Sequence, residues 1–279
     1  MKGRLTIFTF ALLLLPLAGL YLSGAEWSNL MATFPAEDQS AGATLRTSIM
    51  LLIYVLIINH TVKRLTKNDP LDTQRRFFIE LSIASALTGW LLSYLNIFAA
   101  SWTAPQDHPW LVQVLLYTPL FALLAPAVLV TSALFGAFPG RIKPFDCRPP
   151  LPATASTIMA RILLPLALLG LMSGAAWPAQ LFWLLWISPL LLLTSLQLLS
   201  HERAILAQPG DRGRVICAAL SGIAVGNLAV ISYQSNASLD INLPNMLIAQ
   251  SGLALFGLLC LQLGDVLDQP DKSLIQDKP

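Results

Sequence analysis

Long apolar runs constrain the fold of this chain more than any other feature of its sequence. Each run spans roughly 20 residues, the length that an α-helix needs to cross a hydrocarbon core of about 30 Å. Hydrophobic residues make up 55% of the chain and charged residues only 11%, whereas a soluble globular domain has about 25% charged residues. The sequence therefore predicts an all-α, multi-pass integral membrane protein.

Apolar length predicts eight transmembrane helices, joined by connections too short to hold a soluble domain. The first span follows a basic start and ends in small residues, as a cleavable signal peptide does, but its apolar core is long for one. We therefore expect it to be retained as a transmembrane helix. The predicted spans are residues 5–24, 47–62, 77–99, 111–137, 158–177, 180–200, 215–234 and 245–266.

Basic residues lie almost entirely at alternate ends of these spans, and this asymmetry predicts the orientation. They precede the first span, follow the eighth and fill every second loop, while the intervening loops contain only Arg46. Both termini are therefore predicted to be cytoplasmic. Trp27, Trp102, Trp110 and Trp177 fall at the outer boundaries, where tryptophan is favoured. A bacterial inner membrane is the default location for such a protein.

The two halves of the chain carry matching motifs in the same order. The segment LLPLAGLYLSGAEW (14–27) matches LLPLALLGLMSGAAW (163–177) with one residue inserted. His60 then ends the second span and His201 ends the sixth. This order indicates a tandem duplication of a four-helix unit.

The resemblance between the halves continues beyond the second and sixth spans. Asp72-x-x-Arg75 corresponds to Asp211-x-x-Arg214, and the following spans align without gaps. Because four spans is an even number, both halves enter the membrane from the same side. We therefore expect a parallel repeat related by a pseudo-two-fold axis along the membrane normal.

The duplication defines the predicted domain organisation. Residues 1–140 form the first four-helix repeat and residues 158–266 the second. A Pro-rich cytoplasmic linker at 141–157 joins them, and a polar cytoplasmic tail follows at 267–279. Within the second repeat, Gly170-x-x-x-Gly174 and Gly222-x-x-x-Gly226 predict faces where helices approach closely.

The two histidines at span ends are candidate ligand- or partner-binding residues. A haem or metal held between His60 and His201 is one hypothesis, since haem in a membrane bundle takes axial histidines from facing helices. Both histidines lie at helix ends, however, and the three cysteines show no metal-binding spacing. We therefore predict interfacial hydrogen bonding, with no cofactor and no metal.

The two Asp/Arg motifs suggest capping and orientation. Asp72 and Asp211 stand where they would cap the third and seventh spans. Arg75 and Arg214 would then contact phosphates and fix the orientation. Together with the histidines, these groups are the alternative candidates for binding an anionic ligand or docking a cytoplasmic partner.

Charged residues without a counterpart in the other half are candidates for specialisation. Glu80 lies about one turn inside the third span, and we expect it to pair with Arg161, at similar depth in the fifth. Asp107 and His108 lie in an outer loop, where we expect a solvated pair, with a small acid–base or metal element as the alternative. Catalytic motifs are absent from the sequence, so no catalytic residue is assigned.

Three classes of function remain. The preferred one is a non-catalytic subunit or assembly factor of a membrane complex, with the lipid bilayer and other membrane subunits as partners and no nucleic acid. The first alternative is a transporter of a small or lipid-like solute, which predicts a polar cavity between the repeats near Asn96 and Asn227. The second is an interfacial membrane enzyme, which predicts titratable residues converging at one face.

Overall fold

A computed structural model describes residues 40–67, 69–104, 109–137, 153–200 and 211–268, except for the side chains of 153–156 and 211. The predicted first span at 5–24 lies outside this part of the chain. The seven long helices within it are each long and apolar enough to cross a membrane. The chain is therefore a multi-pass, all-α integral membrane protein.

The described elements are seven long helices, one single-turn helix and two short strands. They are, in chain order, α1 (Ser40–Thr66), α2 (Pro70–Thr73), α3 (Arg75–Ala99), β1 (Trp102–Thr103), α4 (Trp110–Gly136), α5 (Ala153–Ala176), α6 (Pro178–Leu199), α7 (Asp211–Gln234), β2 (Asp240–Ile241) and α8 (Met246–Leu267).

The seven long helices coincide with the second to eighth predicted spans, with longer starts at α1 and α5. Helix α1 begins at Ser40 rather than at residue 47. Its first two turns are small and polar, so apolar length does not reveal them. They are helical and packed nonetheless, because Ala43 is buried against Tyr233 and Ala237 of the α7 end. Helix α5 begins at Ala153, inside the predicted linker.

The long helices form one bundle in which α4 and α8 each pack against four other long helices. Helices α1, α3, α7 and α8 all pack against α4. Helix α8 also packs against α3, α6 and α7, while α5 packs mainly against α6. Leucines fill the centre of the bundle, and Leu51, Leu81, Leu171 and Leu192 are completely buried there.

A serine from α3 enters the backbone hydrogen-bond ladder of α4. Helix α4 contains Pro126, which has no N–H to donate and disturbs the preceding turn. The Ser85 hydroxyl donates to the carbonyl of Phe121 and accepts from the amide of Ala125 at 3.0 Å. In an uninterrupted helix these two backbone groups would bond to each other. Ser85 thus satisfies backbone groups that an apolar membrane interior would otherwise leave unpaired.

Glycines set the closest helix contacts, as the two G-x-x-x-G motifs predicted. A Cβ atom built on Gly222 of α7 would lie only 2.6 Å from the Cα atom of Gly257 on α8. A Cβ atom on Gly174 of α5 would lie 2.8 Å from the Cγ atom of Leu185 on α6. The missing side chains therefore allow the backbones to approach in both pairs.

The two strands join the α3–α4 loop to the α7–α8 loop. They are antiparallel, and Trp102 lies opposite Ile241. The amide of Asn242 donates to the carbonyl of Ser101 at 3.0 Å, which extends the pairing by one residue. We call this end of the bundle the strand side, and the opposite end, where α3 and α7 begin, the basic side.

Candidate functional site

A group of polar side chains, buried except for the partly exposed Arg214, lies between α6, α7 and α8, towards the basic side. It consists of Thr194 and Gln197 on α6, Arg214 on α7, and Gln262 and Asp265 on α8. We call this group the polar junction. Gln197 is 1% exposed and Gln262 is fully buried, so their side-chain amides must find hydrogen-bond partners inside the protein.

Hydrogen bonds and one ion pair connect the members of the polar junction. The Nε2 atom of Gln262 donates to Oγ1 of Thr194, whose hydroxyl in turn donates to the carbonyl of Leu190 at 2.8 Å. Gln197 donates to the carbonyl of Gln262 at 3.5 Å, the long limit of a hydrogen bond. Arg214 forms an ion pair with Asp265. The junction therefore ties α6 and α7 to α8.

Helix geometry explains why these residues meet. Thr194 and Gln197 are three residues apart on α6, as are Gln262 and Asp265 on α8, so each pair lies on one face of its helix. Helix α7 begins on the basic side and α8 ends there, which places Arg214 near Asp265. In an apolar environment such groups are stable only when they pair with each other.

Two acceptors of the polar junction keep hydrogen-bonding capacity. The Oε1 atoms of Gln197 and Gln262 are buried and have no hydrogen-bond partner within the described ranges. An amide oxygen in this state can accept from a water molecule or a hydroxyl group. The carboxylate of Asp265, in contrast, is held by an arginine. The junction is therefore suited to fixing helix register and carries a fixed charge pair.

A second polar cluster fixes the loop between α1 and α3 on the basic side. Asp69 accepts hydrogen bonds from Nδ2 of Asn59 and Nζ of Lys63, both at 2.9 Å. The bond from Asn59, with that from Lys63, lowers the pKa of Asp69 from 3.8 to about 2. At pH values above its ordinary pKa of 3.8, the Asp69 carboxylate contributes its full stabilisation to the loop. This stabilisation is lost as the pH falls through the lowered pKa of about 2. At neutral pH Asp69 is therefore ionised and holds the loop to Asn59 and Lys63 of α1.

The prediction that Asp72 caps the third span is wrong. Asp69 is the N-cap of the short helix α2 and accepts from the amide of Asp72, which lies inside that helix. The cap of α3 is Gln74, whose side chain makes no capping bond. The physical reason is Pro70, which starts a helical turn directly after Asp69 and so moves the cap upstream.

The predicted pair between Glu80 and Arg161 is also wrong. Glu80 accepts from Nε of Arg76 at 2.8 Å, one turn earlier on the same helix. Residues four apart are neighbours on a helix surface, so this local pair forms without help from another helix. Arg161 is exposed on α5. The Arg76 side chain is 93% exposed, and such a pair adds little stability.

The other charged candidates of the first half do not form a common site. His60 and Arg75 are exposed, and no ion pair or side-chain hydrogen bond joins either of them to Asp72 in the described segments. Arg214 is the one candidate that takes part in the polar junction. The other predicted residues, His201, Asp107, His108 and the side chain of Asp211, lie outside the described part of the chain.

The two asparagines expected near a shared cavity serve separate local contacts. Asn96 lies at the end of α3 on the strand side, where it accepts from the amide of Ser101 at 2.9 Å and donates to the carbonyl of Trp102 at 2.7 Å. Asn227 on α7 exchanges two hydrogen bonds with Gln250 on α8, at 2.7 and 2.9 Å. One asparagine therefore shapes a loop, and the other joins two helices.

Sequence reasoning missed Asp265 and Thr194. Asp265 is one of two acidic residues inside the predicted spans, the other being Glu80. An acidic residue within a span is itself a signal of an internal partner, so Asp265 was detectable. Thr194 carries no such signal, because threonine is common in transmembrane helices and usually bonds its own backbone.

Comparisons with known proteins assign no family to this chain. Searches of protein families, curated proteins and solved structures returned no significant match. A functional interpretation therefore depends on the sequence and on the contacts described above.

Proposed function

We propose that this chain is a non-catalytic subunit or assembly factor of a membrane complex, built from two tandem four-helix repeats. The observation that carries the proposal is the use of polar side chains inside the bundle. Hydroxyls such as those of Ser48 and Ser221 bond their own helix, but several other polar side chains bond to other helices of the same chain, as expected where polarity serves helix packing. These interhelical contacts include Tyr54–Thr131, Trp90–Thr118, Ser195–Ala160, Thr194–Gln262 and Asn227–Gln250.

The helix neighbours support the tandem repeat. The matched motifs make α1 the counterpart of α6, α3 of α7, and α4 of α8. Under an exchange of the halves, the contact α3–α4 becomes α7–α8, and α1–α4 becomes α6–α8. The contacts between the halves exchange as well, since α4–α7 becomes α3–α8 and α1–α7 becomes α6–α3. All eight of these contacts are present in the bundle.

The strand pair supports a two-fold axis between the repeats. Trp102 and Ile241 are 139 residues apart, the same spacing as between Arg75 and Arg214 of the matched Asp/Arg motifs. Trp102 therefore pairs with its own counterpart. When a residue faces its counterpart, the axis that relates the two passes between them, so this pair marks where a pseudo-two-fold axis would leave the bundle.

The charge distribution supports the proposed orientation. Lys63, Arg76 and Arg214 lie on the basic side, and Arg46 lies near the strand side. By the positive-inside rule, the basic side faces the cytoplasm together with both termini. We place the protein in a bacterial inner membrane, with its strand side facing outwards.

Helix α1 offers an apolar surface for lipid or for a neighbouring subunit. Six residues spaced along one of its faces are 46–58% exposed. In an integral membrane protein such a face contacts acyl chains or another membrane protein. The six residues are Leu45, Ile49, Leu52, Ile53, Leu56 and Ile57.

Native electrophoresis of the protein after mild extraction from its own membrane, with mass spectrometry of the band, tests the proposed function. We expect the chain to co-migrate with other membrane proteins at a fixed ratio. An Ile53→Trp variant tests whether partners bind the apolar face of α1. Leu166→Trp on α5 is the matched control, since Leu166 is 54% exposed and Ile53 52%.

Migration as a monomer or homo-oligomer would contradict a role in a complex. Transport assays in proteoliposomes and lipid-turnover assays would then decide between the two alternative classes. Loss of co-migration with Ile53→Trp alone would locate the partner on α1. Loss with neither variant would locate it elsewhere and leave the subunit proposal in place.

A further inference from the structure

A crevice opens on the strand side between the end of α3, the start of α6 and the segment that precedes α8. Its volume is about 370 Å³, within the range of small-molecule sites. Phe98 and Ala100 form one wall, Ala179 and Phe182 of α6 form another, and Asn242 and Leu243 complete it. The crevice therefore lies at the level of the helix ends, where a membrane protein meets the lipid–water interface.

The corresponding region of the other half is filled. A small buried cluster there joins the start of α1 to the end of α7 and to the loop after β1. Tyr233 is its largest member and is 6% exposed. The cluster consists of Ala43, Ala104, Tyr233, Ala237 and Leu239.

The residue correspondence between crevice and cluster is direct. At the spacing of 139 residues that aligns α3 with α7, three crevice residues have cluster residues as their counterparts. They are Phe98 with Ala237, Ala100 with Leu239, and Leu243 with Ala104. The chain thus closes this position with its own side chains in one half and leaves it open in the other. Such a departure from the repeat is expected where one copy has acquired a ligand.

The lining specifies the chemistry of an occupant. Among the described residues that line the crevice, all side chains are uncharged, and Asn242 is the polar one. Its Nδ2 atom donates to the carbonyl of Ala100 at 3.3 Å, which fixes the amide and leaves Oδ1 as an acceptor. Phe182 offers apolar ring surface, whereas Phe98 is only 3% exposed. An apolar body with one hydroxyl donor matches this arrangement, whereas a charged group would lose hydration without gaining a partner.

We propose that this crevice binds a neutral lipid with a free hydroxyl group. The acyl chain lies against Phe182 and Leu243, and the hydroxyl donates to Oδ1 of Asn242. This site is independent of the proposed subunit role, because it concerns a lipid ligand and not a protein partner, but the comparison with the filled cluster rests on the proposed tandem repeat.

Photo-crosslinking tests the site directly. The intact protein in phosphatidylcholine nanodiscs is exposed to a diacylglycerol that carries a diazirine in one acyl chain, and adducts are located by peptide mass spectrometry. We expect saturable labelling of Ala179, Phe182 or Leu243. Unlabelled diacylglycerol should compete with the probe, and the same lipid with its hydroxyl methylated should compete at least threefold less well.

Two variants and one control make the outcome decisive. Ala179→Trp fills the crevice and should reduce labelling at least tenfold. Ala224→Trp, on an exposed position of α7, should leave it unchanged. Asn242→Ala removes one neutral hydrogen bond and should weaken competition about three- to tenfold while abolishing the preference over the methylated lipid.

Thermal melting of each variant confirms that the fold is intact. If Ala179→Trp does not fold, the result for Asn242→Ala alone decides whether the proposed lipid site stands. Adducts spread over lipid-exposed residues such as Leu115 and Leu247, or labelling that unlabelled diacylglycerol does not reduce, would overturn the proposal.

Discussion

Replacing Gly222 with leucine is expected to lower the free energy of unfolding by about 3 kcal/mol or more. A Cβ atom at this position would come within 2.6 Å of both Cα and N of Gly257 on α8. Backbone atoms cannot move aside as a flexible side chain can, so the two helices must separate. Equilibrium unfolding in mixed detergent micelles measures the change.

Gly136→Leu is the matched control for this substitution. Gly136 ends α4, and a Cβ atom added to it would meet no other atom within 4 Å, so we expect a change below about 0.5 kcal/mol. Equal losses at the two positions would show that the α7–α8 contact is not as close as described.

Ser85→Ala should have the second-largest effect, a loss of about 2 kcal/mol in unfolding free energy. The substitution removes the hydroxyl that bridges the Phe121 carbonyl and the Ala125 amide. Each buried polar group that loses its partner costs about 1–3 kcal/mol, although partial straightening of α4 recovers some of that loss. The same unfolding measurement applies.

The control for Ser85 is its neighbour Ser82 on the same helix. The Ser82 hydroxyl donates only to the carbonyl of Phe78, one turn earlier, at 2.9 Å. That carbonyl belongs to an intact helix, so Ser82→Ala should change the free energy of unfolding by less than about 0.5 kcal/mol. A Ser85→Ala variant as stable as Ser82→Ala would rule out the bridging role.

Most of the membrane architecture was predictable, because the length of an apolar segment determines whether it can form a helix that crosses the membrane. Seven of the predicted spans correspond to helices, with errors concentrated at polar helix starts such as Ser40–Arg46. Those turns are held by packing against α7, which hydropathy does not detect. The G-x-x-x-G motifs were informative because a missing side chain has one main structural use inside a membrane, close backbone approach.

The polar contacts were predictable only where they are local. The Arg76–Glu80 pair follows from a spacing of four residues. The sequence instead favours Arg161 as the partner of Glu80, because Glu80 and Arg161 both lie inside predicted spans at similar depth. Arg214 and Asp265 are 51 residues apart, and their contact depends on which helices are neighbours. No single-sequence pattern specifies that neighbourhood before the bundle is known.

In the proposed repeat, the two halves correspond in which helices are neighbours more than in which face of each helix is buried. Leu81 on α3 is fully buried, whereas its counterpart Leu220 on α7 is 50% exposed. The rotation of α7 is set by the contact of Gly222 with α8, and α3 instead presents Ser85 and Gly89 to Phe121 of α4. Matching motifs therefore predict the order of the helices but not which side of each is buried.

Disulfide formation between Trp102→Cys and Ile241→Cys, in a chain whose natural cysteines are replaced by alanine, tests the two-fold arrangement most directly. These positions form a non-hydrogen-bonded antiparallel pair, a geometry within the reach of a disulfide. We expect the bond to form in intact cells, and an impermeant thiol reagent to label each single variant from outside. Thr103→Cys with Ile241→Cys, whose side chains point to opposite faces of the strands, should not cross-link. Failure of the first pair to cross-link, or labelling only after the membrane is permeabilised, would contradict two outward-facing loops that meet on a shared axis.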